Sequence, residues 1–252
     1  MLLAAAVAAG GEEASGEPQA GEVRTITLPG GATMEMVWCP AGTFLMGSGY
    51  DEHPVTLTKG FWMGKYEVTK AQWKSVMGST PPDLREENHP VVWVSWDDCQ
   101  QFCRKAGLSL PTEAQWEYAC RAGSRGPYAG TGNLDDMGWY LDNSRVQTHP
   151  VGTKHPNAWG IYDMHGNVSE WCEDWYGRYP GGAVTDPQGS PSGEASSVEW
   201  LFGGSSEGER VLRGGAWGSL STQCTSDFRV GDSPSHAFNY LGFRAVRNLS
   251  EE

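Results

Sequence analysis

Clustered positive charge is what this sequence most conspicuously lacks. Its 252 residues carry 18 Lys and Arg against 31 Asp and Glu, a formal net charge of −13. Phosphate binding needs concentrated cations, so no nucleic acid partner is expected. Charge of either sign is scarce, at 19% of residues, which excludes a disordered chain or a coiled coil. No membrane-length apolar run stands out: the one at residues 2–9 is too short to span a bilayer, so no transmembrane span is expected. None of the six cysteines (39, 99, 103, 120, 172 and 224) sits in a CxxC pair, which argues against a zinc knuckle. Phosphate-loop and dinucleotide-binding glycine motifs are missing as well.

Glycine and tryptophan are abundant instead, with 34 Gly, 12 Trp and 38% hydrophobic residues. Such a chain can bury a sizeable, aromatic-rich core linked by many turns. Residues 1–21 read as a signal remnant or a flexible tail, because the run 2–9 has the length of a signal's apolar core but no Lys or Arg before it. The signal reading implies an exported or cell-surface protein, with a lipoprotein as one form; the tail reading leaves the cytoplasm open. Residues 22–252 read as one domain. The cysteines are expected to be small buried hydrophobes, although disulfides are not excluded.

Between residues 23 and 66, apolar and polar residues alternate in short runs (VRTITL, MEMVWC, GTFLMGS, VTLTKGFWMGKYEV) broken by turn residues, which predicts strands. Three helices follow. Thr69 and Gly78 bracket the first, and Ser95 and Gly107 the second, which carries an apolar stripe of Cys99, Phe102, Cys103 and Ala106. Thr112 and Gln115 form a capping box for the third, which Gly123 is expected to stop. Beyond residue 124 the chain is rich in Gly, Asn, Asp, Pro and Trp, and residues 179–210 read as a surface insertion. His89, His149, His155 and His165 share no ligand spacing and are expected in surface or turn roles. Asp97–Asp98 are expected at a helix start and Asp135–Asp136 in a loop.

Six ordered stretches carry a resemblance: GTFLMGS, YEVTKAQW, LPTEAQWEYACRAG, PNAWGIYDMHGNVSEWCEDWY, RVLRGGAW and LGFRAV. In that order they resemble the formylglycine-generating enzyme (sulfatase-modifying factor) family over residues 30–247. The resemblance implies an α+β domain with the C-type lectin fold of that family, loop-rich, with short antiparallel strands and about three helices. The family's oxidase activity uses copper held by two thiolates; the matching positions here are Ser219 and Cys224. A hydroxyl replaces one soft ligand, so no copper is expected. The family's turn serine is Ala216 and the first Trp of its GN-x-W-E-W motif is Ser169. Three changes together imply a non-catalytic chain, with a copper-dependent oxidoreductase, or an inactive paralogue of one, as the alternative. The family's calcium site would map to the side chains of Asp163 and Glu170 and the carbonyls of Gly166 and Val168, which implies one structural Ca2+, with a turn held by Asn167 and Asp163 hydrogen bonds as the alternative. The sugar-binding Glu-Pro-Asn and Gln-Pro-Asp triplets are absent, so the fold does not imply lectin activity.

The C-terminal stretch 210–244 resembles a second group with this fold, the variable proteins of diversity-generating retroelements. An RGG-aromatic turn opens it, a GFR strand closes it, and the residues between follow no period. That resemblance implies a diversified ligand-binding surface made of Trp217, Gly218, Ser219, Leu220, Gln223, Asp227, Phe228, Val230, Gly231, Asp232, His236, Phe238, Asn239 and Tyr240. The expected partner is a protein or other cell-surface ligand, bound by a monomer. Phe238 and Tyr240 are candidate anchors, because aromatics dominate interface energy. For Phe228, core packing and exposure stay open.

Overall fold

The computed structural model describes residues 16–79, 86–191 and 208–249. The alternating runs near the N-terminus form β1 (Val23–Thr27), β2 (Thr33–Cys39), β3 (Gly42–Met46), β4 (His53–Leu57) and β5 (Phe61–Gly64). The helices are α1 (Lys70–Met77), α2 (Trp96–Ala106), α3 (Glu113–Arg121) and the single turn α4 (Leu134–Met137). The strands β6 (Ser169–Trp175), β7 (Val184–Thr185), β8 (Arg210–Arg213), β9 (Arg229–Asp232), β10 (Leu241–Gly242) and β11 (Val246–Asn248) follow.

Local chemistry explains the helix ends. Thr69, Ser95 and Thr112 each accept a backbone N–H from the third helical residue, whose side chain bonds back to the cap. Gly78 and Gly107 end α1 and α2 in the left-handed region. In α3 that conformation begins one residue before the expected stop, at Ala122, with Gly123 continuing it. Asp135 and Asp136 lie in α4, not in a loop, because the Asn133 side chain accepts the Asp135 N–H and starts a turn.

Among the described residues the strands form three sheets, in the orders β1-β2-β5-β11, β10-β6-β8-β9 and β3-β4-β7. The pairs β10–β6 and β4–β7 are parallel; the others are antiparallel. The two-residue side-chain period of β2 separates two cores. Met34, Met36 and Trp38 pack with Trp73, Phe102 and Phe243, while Val37 and Cys39 pack with Phe61, Trp116 and Val211. All six cysteines are buried and unpaired. Val184–Thr185 ties the start of the expected surface insertion to β4; residues 192–207 of it lie outside the described residues, as do residues 1–15. Of the expected tail, Gly21 is bonded to the domain, its N–H donating to the Trp38 carbonyl.

Candidate binding surface and its frame

The irregular stretch leaves one sheet strand and returns to another. It departs from the end of β8 and comes back at β10, on the far side of β6. At each end stands a fully buried arginine. The Arg213 guanidinium meets the Glu117 carboxylate from α3, and donates to the Phe228 carbonyl (2.5 Å) and the Ser226 carbonyl (3.0 Å). Burial opposes its charge, but Glu117, Tyr179 and Glu113 outweigh that and hold it firmly protonated. Arg244 donates Nε and Nη2 to the two oxygens of Glu170 on β6, both at 2.6 Å, and further to the carbonyls of Gly64 and Tyr162. The two-point Arg244–Glu170 pair fixes both orientation and position, whereas Arg213 meets Glu117 through one nitrogen. Gly214 and Gly215 have φ of 87° and 70°. A Cβ on Gly215 would lie 2.5 Å from the Gln223 carbonyl oxygen and 2.8 Å from Cys224 Sγ, so only glycine admits this close return.

Between the frames, none of the fourteen expected contact residues is fully buried, and Gly218, Leu220, Val230, His236 and Tyr240 are exposed. The stretch is not all loop. Residues 229–232 form β9, an edge strand paired with β8 from Arg213↔Arg229 to Arg210↔Asp232. The residues do not all share one face. Trp217, Gly218, Ser219 and Leu220 join Phe238, Asn239 and Tyr240 through the Trp217 Nε1–Asn239 carbonyl bond (3.2 Å). The rings of His236, Phe238 and Tyr240 stand in sequence with centroids 5.3 Å apart, and His236 Nδ1 lies 2.6 Å from Asp232 Oδ1. Phe238 is half-buried against the core. Asp227 is separate: it accepts the Ser48 hydroxyl and lines a cleft of about 950 Å³ with Phe44, Tyr118, Tyr128 and Trp159. Gly231 packs against Tyr176 and Glu209, and Phe228 is half-buried, its carbonyl held by Arg213. Gln223 turns back to accept the Leu220 N–H.

The positions matching the copper ligands are occupied structurally. The Ser219 hydroxyl accepts the Ala216 N–H (2.9 Å), and burial pushes the Cys224 thiol up to about 12. His165, expected at a surface or turn, is fully buried beside it. Its Nδ1 donates to the Cys224 carbonyl (2.8 Å), its Nε2 accepts the Ala129 N–H (3.0 Å), and burial lowers its pKa to about 4. Ser169, in place of the motif's Trp, donates its N–H to the Tyr240 carbonyl.

The expected calcium ligands Asp163 and Glu170 are both buried, yet unlike in their bonding. Glu170 is neutralised by Arg244 and also accepts Trp116 Nε1–H (2.7 Å), so it does not fit as a free cation ligand. Asp163 accepts the Gly152 N–H through Oδ2 (2.7 Å), while its buried Oδ1 has no partner, which fits a cation or a proton. Burial lifts this carboxyl to about 6. Gly166 and Val168, the expected carbonyl ligands, flank Asn167, and the Val168 N–H donates to Glu67. Glu67 was not foreseen; burial and then Asp163 and Glu170 push its carboxyl well up. Among the described residues, no three His, Cys, Asp or Glu side chains converge on a metal position.

Comparison with known proteins agrees with this architecture. The chain is 33% identical to the formylglycine-generating enzyme of Streptomyces coelicolor, the match covering 72% of this chain and 60% of that enzyme. It is 32% identical to chaperone protein LppX of Paenibacillus barcinonensis, over 56% of this chain and 72% of that protein. Among solved structures, variable protein 1 of Treponema denticola superposes with a TM-score of 0.76 at 28% identity, covering 89% of this chain and 98% of that one. PvdO from Pseudomonas aeruginosa superposes with 0.72 at 27% identity, covering 92% and 100%. The expected loop-rich α+β architecture of the C-type lectin type is therefore the one adopted. The model of the sulfatase-modifying factor enzyme 1-like domain matches residues 25–249, and the chain belongs to that family.

Proposed function

We propose that this chain is a non-catalytic binding protein, the product of a diversity-generating retroelement, whose 210–244 stretch presents a changeable contact surface. The observation that carries the reading is the division within that stretch. The framing residues Arg213, Gly214, Gly215 and Arg244 are buried, as are Ala216, Cys224, Ser226 and residues 241–243, whereas the fourteen expected contact residues are exposed or half-buried. The structural likeness to the Treponema variable protein supports it. Substitutions on exposed positions of a rigid scaffold cost little stability, so such a surface can change without unfolding its support. The partner would be a protein or other cell-surface ligand. Export as a surface protein belongs to the same proposal; among the described residues no helix is long and apolar enough to cross a membrane.

The second reading, a copper-dependent oxidoreductase, is favoured by the likeness to formylglycine-generating enzymes. Against it, Cys224 lacks a partner thiolate at position 219 and is held as a thiol by burial. Titrating the full chain with copper(I) and assaying a cysteine-containing peptide for aldehyde separates the two. The binding reading expects no stoichiometric tight site and no product; tight binding with conversion overturns it. A neighbouring reverse transcriptase and a near-copy template in the flanking DNA are expected, and their absence removes the diversification claim.

A further inference from the structure

Apolar exposure on this molecule is concentrated. Nine large apolar side chains are exposed among the described residues, and five of them (Trp93, Leu141, Val146, Leu220 and Tyr240) belong to segments bonded to one another. The Leu141 N–H donates to the Ser219 carbonyl (3.0 Å) and the Trp93 N–H to the Phe238 carbonyl (2.9 Å). The Ser144 hydroxyl donates to the Trp217 carbonyl (2.7 Å) and accepts the Val146 N–H (3.1 Å). Trp217 in turn reaches the Asn239 carbonyl. Trp93, Leu141 and Val146 thus border the aromatic face from outside the 210–244 stretch.

These bordering segments are also strained. Trp93, Arg145 and Val146 have φ of 62°, 57° and 60°. Bulky and β-branched side chains rarely adopt that region, and such outliers persist where a site requires them. The Trp93 and Val146 side chains themselves are exposed, at 42% and 64%, although Val92 and Val94 on either side of Trp93 are buried. The charges bordering the patch are mainly acidic. Asp142 follows Leu141, and Asp232, bonded to His236, lies close enough to Tyr240 to raise its pKa after burial does, while Asp97 lies nearer Arg210. Arg145 is exposed beside them; Arg210 is clamped between the Trp96 and Trp175 rings. Two copies of a chain carrying −13 would bring these acidic rims together, which disfavours self-pairing.

We infer that Trp93, Leu141 and Val146 form an invariant half of the binding surface, and that its occupant is a folded protein presenting an apolar patch ringed by Lys and Arg. This rests on the proposed binding role and deepens it: the irregular stretch supplies the changeable half and the strained border supplies a fixed one.

The test pans the full chain against a displayed library of small helical bundles randomised on one face. Enriched binders should carry apolar residues flanked by Lys and Arg, and should weaken as salt rises. Their affinity should fall about tenfold or more for Leu141→Ser, Trp93→Gly and Val146→Gly. The two glycine variants should melt no lower than wild type, because glycine relieves the left-handed strain, so lost binding is not lost folding. If Leu220→Ser and Tyr240→Ser abolish binding while the three border variants bind normally, this inference fails and the proposed function stands. If neither set matters, both fail. Binders without basic residues, dimerisation of the chain that Trp93→Gly abolishes, or selective binding to a glycan array instead would each overturn the assigned occupant.

Discussion

Arg244 and Glu170 lie 74 positions apart in sequence, and Arg213 and Glu117 lie 96 apart, yet each pair meets at zero exposure. Buried charges of this kind add little net stability, but removing one partner strands the other. Arg244→Met should therefore cost about 3–5 kcal/mol in urea unfolding, and the double variant Arg244→Met, Glu170→Met should recover much of it. If single and double variants are equally unstable, the pair is not what fixes the strand. Asp163 gives a pH prediction. Its carboxyl is raised by burial from 3.8 to about 6, so between those values the folded chain keeps a proton that the unfolded chain has released. Stability from this group is present in acid and is lost as pH rises through 6. In chelator, Asp163→Asn should gain on the order of 2 kcal/mol relative to wild type between pH 4.5 and 7.5. His165 acts oppositely but is shared by both proteins and cancels. Should a cation fill the position, added calcium must reverse the sign at pH 7.5, with wild type stabilised and the variant not. The framing arginines were legible from the RGG and GFR stretches. Their carboxylate partners were not, because pairing across such separations leaves no local pattern. Glu67 has no local signature for the same reason, being an isolated acid whose burial only the fold creates.

At the scale of elements, regular pieces were legible where chemistry is local. Caps, turn glycines and alternating strands announce themselves within a few residues, and all three expected capped helices are present. Strand β9 was hidden because its residues, RVGD, have no apolar alternation; pairing with β8 creates it. The same limit separates Phe238 from Tyr240. They are stacked neighbours, but one is half-buried against the core and the other 37% exposed. Phe238→Ala should cost about 2 kcal/mol and Tyr240→Ala less than about 1, read by thermal unfolding. Equal costs would mean that Phe238 does not anchor the loop. Gly215→Ala should cost at least about 2 kcal/mol, since its methyl would strike the Gln223 carbonyl in a left-handed turn. A silent Gly215→Ala would show that the turn has slack.

At the scale of the molecule, the two cores on either side of the β1-β2-β5-β11 sheet make the support, and β6 holds both ends of the 210–244 stretch. The proposed recognition role needs such a support, because exposed positions on a fixed scaffold can be exchanged at little cost in stability. The central claim is that frame and surface obey different rules. It is tested most directly by randomising residues 210–244 one position at a time in a displayed library and sorting for protease resistance. Gly218, Leu220, Val230, His236 and Tyr240 should accept nearly any residue, while Arg213, Gly215, Cys224 and Arg244 should accept almost none. If the exposed positions prove as restricted as the buried frame, the stretch is not built to vary and the account is wrong.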